Sequence, residues 1–397
     1  MAVYTVDENG QLVVTPSLLN DFTYFRDNVL VRTYEEFLTA NADNISLLAP
    51  IIYDDRNMPG SFNGCVDSNG KVYLIFLNWD QSLYDYTASY LTNATGTWVL
   101  HDIDSVSYNS LNYFTHIKID SSGYLHCCYI EINATTSTMV YATNATGSWV
   151  ITEMYGTGYT AYVGRSGGLF QDSSGYWHII WSSYVVTAPQ PRRIYHSTNA
   201  TGSWQTEEVL YREGGAFWGV LAIMNNDNSI TLFYENSGLV TITGTWGSWG
   251  SETAISTTDT LTTSSVTNLL LDENGYIHLI YKSYGNQLYE LTNAPSGTWS
   301  DTLIFDLSPD YTIGTTGLSL VYDSNWNLHL LFEFINQSTS KRNIAYANNI
   351  SGWSSWEQIT FDHWRVYPLL LIYNDSLMAY FTDVTDSADR NLREKEI

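Results

Sequence analysis

The stretch DSSGYWHIIW, residues 172–181, decides the fold, because near-copies of it recur along the chain. DSNGKVYLIF starts at Asp67, DSSGYLHCCY at Asp120, DENGYIHLIY at Asp272 and DSNWNLHLLF at Asp323. Weaker copies, NNDNSITLFY and NDSLMAYF, start at Asn225 and Asn374. Successive anchors lie 53, 52, 53, 47, 51 and 51 residues apart. Within each copy Asp-x-x-Gly reads as a turn. Glycine supplies a left-handed backbone there, and the aspartate side chain bonds nearby backbone. The apolar run that follows reads as a strand.

A second motif sits between the anchors. LTNATGTW ends at Trp98, ATNATGSW at Trp149, STNATGSW at Trp204 and LTNAPSGTW at Trp299, with looser versions closing at Trp249 and Trp356. Each unit therefore reads as four strands. Strand A (for example THIKID) leads into the Asp turn and strand B leaves it. Strand C (IYHST, LYELT) precedes the Asn-Ala-Thr-Gly turn, and the Trp opens strand D. No helical period is evident between residues 43 and 397. About 50 residues per four-stranded unit is the period of a propeller blade. The expected fold is all-β, a seven-bladed β-propeller, with a stacked solenoid as the alternative.

The ends suit ring closure. The last repeat supplies strands A and B (PLLLIY, LMAYF) and a C strand in NLREKEI, but no D strand. NISLLAPII, from Asn44, stands where a D strand belongs and would complete that blade. Two domains are expected: an extension or docking arm, 1–42, and the propeller, 43–397. Asp7-Glu8-Asn9-Gly10 resembles a further turn, so an eight-bladed ring is the alternative. Otherwise 1–42 reads as a hairpin plus a short helix, with Thr15 as cap, Pro16 in its first turn, and Leu18, Phe22, Phe25 and Val29 on one face.

Composition narrows the function classes. Of 397 residues 16 are basic and 41 acidic, a net charge of −25, while aromatics make up 15%. Such a chain has ample material for a core and repels nucleic acid and anionic lipid. No apolar stretch is long enough to span a membrane, and MAVYTVDENG has no secretory-signal pattern. Three cysteines, two of them adjacent, do not make a disulfide framework. There is no phosphate-binding glycine loop, nucleophile elbow, HExxH or CxxC, so no cofactor and no metal is expected.

The D-S-x-G-x-x-H…T-N-A-T-G-S-W unit resembles the tandem repeats of bacterial and archaeal extracellular proteins and the sialidase-like propellers built on Asp boxes. In Ser197-Thr198-Asn199-Ala200-Thr201-Gly202-Ser203-Trp204 the Ser and Trp match the box, Asn replaces Asp, and Gly is displaced by one. The resemblance covers about residues 43–397 and implies a propeller. It says little of activity, because such rings host glycosidases, lectins and scaffolds.

Repetition also sorts the candidate chemistry. His126, His178, His278 and His329 recur six residues after their anchors. They belong to different blades, so they are expected to hydrogen-bond between blades rather than share a metal. The serial Trp residues are expected in blade packing, and the Asn-x-Thr/Ser sequons in turn chemistry. Cys127 and Cys128 should point to opposite faces as apolar fillers.

Function is expected on the other face, where the B–C and D–A loops vary in length. The D–A loops bring Arg56, Arg165, Arg212 and Arg365, with Tyr113, Tyr159, Trp218 and Trp364. The B–C side adds Trp79, Glu131, Arg192, Arg193, Glu235, Lys282 and Glu333. Aromatic rings beside planar polar groups suit carbohydrate. A sialidase would need three convergent arginines, a Tyr–Glu nucleophile pair and an acid. No Arg-Ile-Pro motif is present, and no position identifies the nucleophile or the acid. The expectation is a non-enzymatic virion structural or adhesion protein: a phage or viral tail, fibre or decoration component on the virion or an extracellular surface. It would be oligomeric, docked to other virion proteins through 1–42, and would bind host-surface glycan. A soluble lectin and a glycoside hydrolase are the alternatives.

Overall fold

The computed structural model describes residues 62–397 except the segments 81–84, 107–115, 133–136, 155–160, 186–190, 214–219, 237, 256–268, 284–285, 361–363 and 385–389. Before residue 62 it describes 5–6, 12–13, 24–26, 29–31 and 51–54.

The Asp turns close as their residues dictate. Asp120 Oδ1 accepts the N–H groups of Ser122 and Tyr124, each at 2.9 Å, while Gly123 N–H donates to the Asp120 carbonyl at 3.0 Å. Gly123 sits at φ +84°. The same bonds recur at Asp172 and Asp272. In the sixth repeat Trp326 holds the glycine position at φ +63°, a conformation that costs a side-chain-bearing residue roughly 1–2 kcal/mol.

The second turn works as a clamp. Oδ1 of Asn93, Asn144, Asn199, Asn293 and Asn349 accepts the N–H of the residue that opens strand B of its own unit: Val72, Leu125, Trp177, Ile277 and Leu328, at 2.7–2.9 Å. These asparagines, all but Asn293 in Asn-x-Ser/Thr sequons, thus tie both turns of a blade together.

Seven antiparallel sheets result. Blade one runs Asn63–Val66, Val72–Asp80, Asp85–Thr92, Val99–Val106, strands A to D. Blade two runs His116–Ile119, Leu125–Ile132, Ser137–Thr143, Val150–Met154, and blade three Ala161–Gln171, Trp177–Val185, Arg192–Thr198, Gln205–Arg212. Blade four has Val220–Met224, Ile230–Glu235 and Leu239–Thr245, with strand D in two pieces, Ser248–Trp249 and Thr253–Ile255. Blade five runs Leu269–Leu271, Ile277–Lys282, Gln287–Thr292, Ser300–Asp306, and blade six Tyr311–Tyr322, Leu328–Asn336, Arg342–Asn348, Trp356–Gln358. Blade seven takes Trp364–Tyr373, Ser376–Val384 and Arg390–Glu396 from the end of the chain, and its D strand is Ile51–Asp54, paired with Arg390–Glu396. Closure by an early strand is as expected, but that strand lies a few residues later than the sequence placed it. Residues 44–50 lie outside the described ones.

Each A strand lies against the A strand of the next blade, including the seventh against the first. The ring is therefore a seven-bladed β-propeller with A strands innermost. Its core is a series of apolar seams between neighbouring blades. Cys127 packs with Ile75, Leu77 and Ala88 in the first seam, and Cys128 with Ile179 and Trp181 in the second. The adjacent cysteines do face opposite ways, and burial pushes the Cys127 thiol well up. Blade seven meets blade one through Leu369, Tyr380 and Leu392 against Leu74 and Phe76. Each such fully buried side chain contributes roughly 1.5–3 kcal/mol, and each blade keeps only a short outer edge at its D strand.

Residues 1–50 form a separate compact unit from 51–397. In it Thr5–Val6 pairs with Leu12–Val13, and Tyr24–Arg26 with Val29–Val31. The helix expected to carry Phe25 and Val29 is thus corrected to a hairpin. Both residues lie in β-rich stretches (YFR, VLV), where pairing across a two-residue turn competes with a helical stripe. Thr15, Pro16, Leu18, Phe22 and the 7–10 turn lie outside the described residues.

Candidate functional site

Antiparallel strands put the A–B and C–D turns on one face and the B–C and D–A loops on the other. Of the residues expected on the latter face, Tyr113, Tyr159, Trp218 and Arg56 lie outside the described residues. Trp79 ends strand B of blade one; Arg165 lies in strand A of blade three; Trp364 and Arg365 open strand A of blade seven. The side chains of these four are likewise outside the description.

Three predicted residues converge on blade three. Strands C and D place Arg192 opposite Arg212 and Arg193 opposite Tyr211. The Arg193 guanidinium stands 5.2 Å from the centre of the Tyr211 ring and is held by Glu208 at 3.4 Å. The Tyr211 side chain remains 45% exposed. Arg212 crosses to blade four and pairs with Glu252, which also accepts the Tyr234 hydroxyl. Burial opposes ionisation of Glu252, but these two donors hold its carboxyl below its ordinary range. Arg192 is only 5% exposed.

The fifth seam gathers two more. Glu333 has no exposed surface, and its carboxylate takes Arg342 Nη1 at 2.6 Å. It packs over Gly314, where a Cβ would stand 2.3 Å from the Glu333 carboxyl carbon. Lys282 donates to the Ile313 carbonyl at 2.7 Å, and burial depresses its pKa against the pull of Glu333. Glu131 and Glu235, both half-buried, lie in or end their B strands apart from these clusters. Burial, then the charges of Glu153 and Asp104, push the Glu131 carboxyl up; Asp104 itself takes the Tyr129 hydroxyl at 2.9 Å.

The recurrent histidines bond within their own blades, not between blades as expected. Nε2 of His126, His178 and His329 lies 3.2–3.3 Å from the aspartate of its own turn, and Nδ1 meets a strand C side chain. The reason is register: strand B puts the sixth residue after the anchor beside both the turn and strand C. Contact between blades is by stacking, as of His126 on Trp177 at 4.0 Å. In blade three the partner is His196, giving a buried chain Asp172···His178···His196···Glu207 with a ring-to-ring gap of 2.9 Å. Glu207 also accepts Trp249 Nε1 and Gly247 N–H from blade four.

The turn tryptophans reach back one blade. Trp98 meets Tyr380, Trp149 meets Tyr90, Trp204 meets Tyr141 and Trp299 meets Phe233. In blade six this role falls to Trp353, which packs on Phe305 and donates to Glu290 at 2.7 Å. Trp356, which the looser motif put in that place, packs within its own blade on Phe332 and Phe334.

Sequence reasoning missed one feature. On the A–B turn face an open pocket of about 380 Å³ spans blades two to four. The only sequence signal for it was the polar Asn run of the degenerate fourth anchor.

No family model matches the chain, and no curated protein does. Several solved structures are similar to it at low identity. A Dyadobacter fermentans protein of unknown function is 10% identical, with a TM-score of 0.45 over 87% of this chain and 97% of its own. The Aleuria aurantia lectin, solved with Fucα1-6GlcNAc, is 12% identical, with a TM-score of 0.45 over 78% of this chain and 96% of its own. Trypanosoma rangeli sialidase is 10% identical, with a TM-score of 0.43; 86% of this chain spans 59% of that enzyme.

Proposed function

We propose that the chain is a non-enzymatic binding propeller, a surface component of a particle such as a virion appendage, which holds glycan on its B–C and D–A loop face. The observation that carries this reading is the blade-three platform. An exposed Tyr211 ring, stacked on one side by Arg193 and braced by Glu208, offers a sugar an aromatic face beside planar donors. Among the carboxylates described there, Glu333 is buried and held by Arg342, while Glu252 with the Tyr234 hydroxyl has the make-up of a Tyr–Glu pair, so turnover is the alternative that the assay must exclude. A catalytic pair needs one carboxyl held as acid and one available as nucleophile or base. The separate unit 1–50 supports a docking role toward partners in an assembly.

A glycan array of the full chain tests the reading, with Arg193→Ala and Tyr211→Ala run beside it. Selective binding that each substitution weakens is expected. An array with no signal, or hydrolysis of a chromogenic glycoside, would remove the reading. Light scattering with and without residues 1–50 tests the assembly role, and a monomer in both cases would leave a free lectin.

A further inference from the structure

We propose a second saccharide site, on the opposite face, at the axial mouth of the A–B turns of blades two to four. It goes beyond the loop-face reading and uses none of its residues. The pocket there is lined by Lys118, Phe170, Gln171, Met224 and the asparagines 225, 226 and 228, over buried Leu169 and Trp177. At about 380 Å³ it falls within the roughly 300–1,000 Å³ typical of small-molecule sites. The A strands line the axis, and the pocket lies where the ends of three of them meet their A–B turns.

The lining separates scaffold groups from available ones. Asn228 is spent on blade three: Oδ1 accepts Ser173 N–H at 3.0 Å and Nδ2 donates to Ser173 Oγ at 2.7 Å. Asn225 Nδ2 is spent on Ser229 and Thr231. These bonds pin the rim between blades three and four. Lys118, Gln171 and Asn226 are exposed; Gln171 Nε2 donates to the Gly175 carbonyl at 3.2 Å, and Asn226 reaches toward the turn of blade five at Gly275. The pocket therefore offers the Asn226 amide, which both donates and accepts, the Gln171 carbonyl oxygen, the Lys118 cation, and an apolar wall of Phe170 and Met224.

Sugar hydroxyls likewise both donate and accept, so they match this set. A multiply anionic ligand does not: one lysine faces a molecule of net charge −25. The same face also carries Tyr124, Tyr176 and Trp326, each at least 40% exposed, as further stacking surface for a longer chain. The ligand class is a neutral saccharide.

Saturation-transfer NMR tests this with D-glucose, D-galactose, D-mannose, L-fucose, N-acetylglucosamine and N-acetylneuraminic acid as probes. The proteins are the full chain, the triple variant Lys118→Ala/Gln171→Ala/Asn226→Ala, and Arg193→Ala/Tyr211→Ala. All three pocket positions are exposed, and Asn226→Ala alone provides the readout if the triple variant does not fold. At least one neutral sugar should bind the full chain and the blade-three variant, and bind the pocket variants about tenfold or more weakly, as loss of one or two hydrogen bonds implies. Unchanged binding by the pocket variants, silence from every neutral sugar, or preference for N-acetylneuraminic acid would overturn the proposal. Loss in the blade-three variant alone would place binding on the loop face and refute this site.

Discussion

The buried pair His178–His196 makes the third seam sensitive to acid. Asp172, the two rings and Glu207 form a chain with three hydrogen-bond gaps, and the ring-to-ring gap needs one acceptor nitrogen. Protonating both rings would break that bond and set two cations 5.1 Å apart between ring centres. At an effective dielectric of about 20 that repulsion is about 3 kcal/mol. Burial, then the charge of His196, hold His178 below its ordinary value of 6.5. The unfolded chain takes up protons that the native pair resists, so stability is full above about pH 6.5 and falls as pH falls. Keeping His178 neutral costs at most about 1.4 kcal/mol per pH unit below that. His196→Gln retains an acceptor for His178 and a donor for Glu207 but cannot charge. Urea unfolding followed by tryptophan fluorescence at about pH 7.5 and about pH 5 should show wild type losing more stability than the variant, which keeps the burial of His178 but lacks the charge of His196. Parallel losses in the two proteins would refute the reasoning.

Four other outcomes are expected. Asn199→Ala leaves the buried Trp177 N–H without its acceptor and should cost about 1–3 kcal/mol by urea unfolding. Trp204→Ala removes the ring that meets Tyr141 at 4.6 Å across a seam, and should cost about 3 kcal/mol by the same assay. Gly175→Ala, at φ +87° in otherwise open space, should cost about 1–2 kcal/mol through backbone strain alone; an unchanged midpoint would contradict that. A 51–397 fragment keeps the closing strand and should give the near-ultraviolet circular dichroism of the ring, whereas an insoluble fragment would show that 1–50 is needed for folding.

The acid response has a second contribution of the same sign. Burial opposes ionisation of Asp323, but Asn327, His329 and the turn N–H groups hold its carboxyl down at about 2. Its contribution is present above the ordinary carboxylate range and disappears as pH falls toward 2, well below the histidine window.

Much of this protein was determined by sequence alone. The Asp-x-x-Gly turns are local chemistry, since the aspartate bonds residues within four positions of itself, whereas the asparagine of the second turn reaches strand B 16–22 residues earlier. Their spacing set the blade length, the repeat count set the ring, and the missing last strand announced closure. Tertiary structure decided whatever depends on which strand lies beside which. It turned the histidines into bonds within blades and sent the turn tryptophans back to the preceding blade. It buried Glu333 beside Arg342 and gathered Arg192, Arg193 and Arg212 on two strands. The pocket of Lys118, Gln171 and Asn226 draws on three blades whose anchors are some fifty residues apart. No local pattern encodes such a meeting, because it exists only once the A strands stand around a common axis.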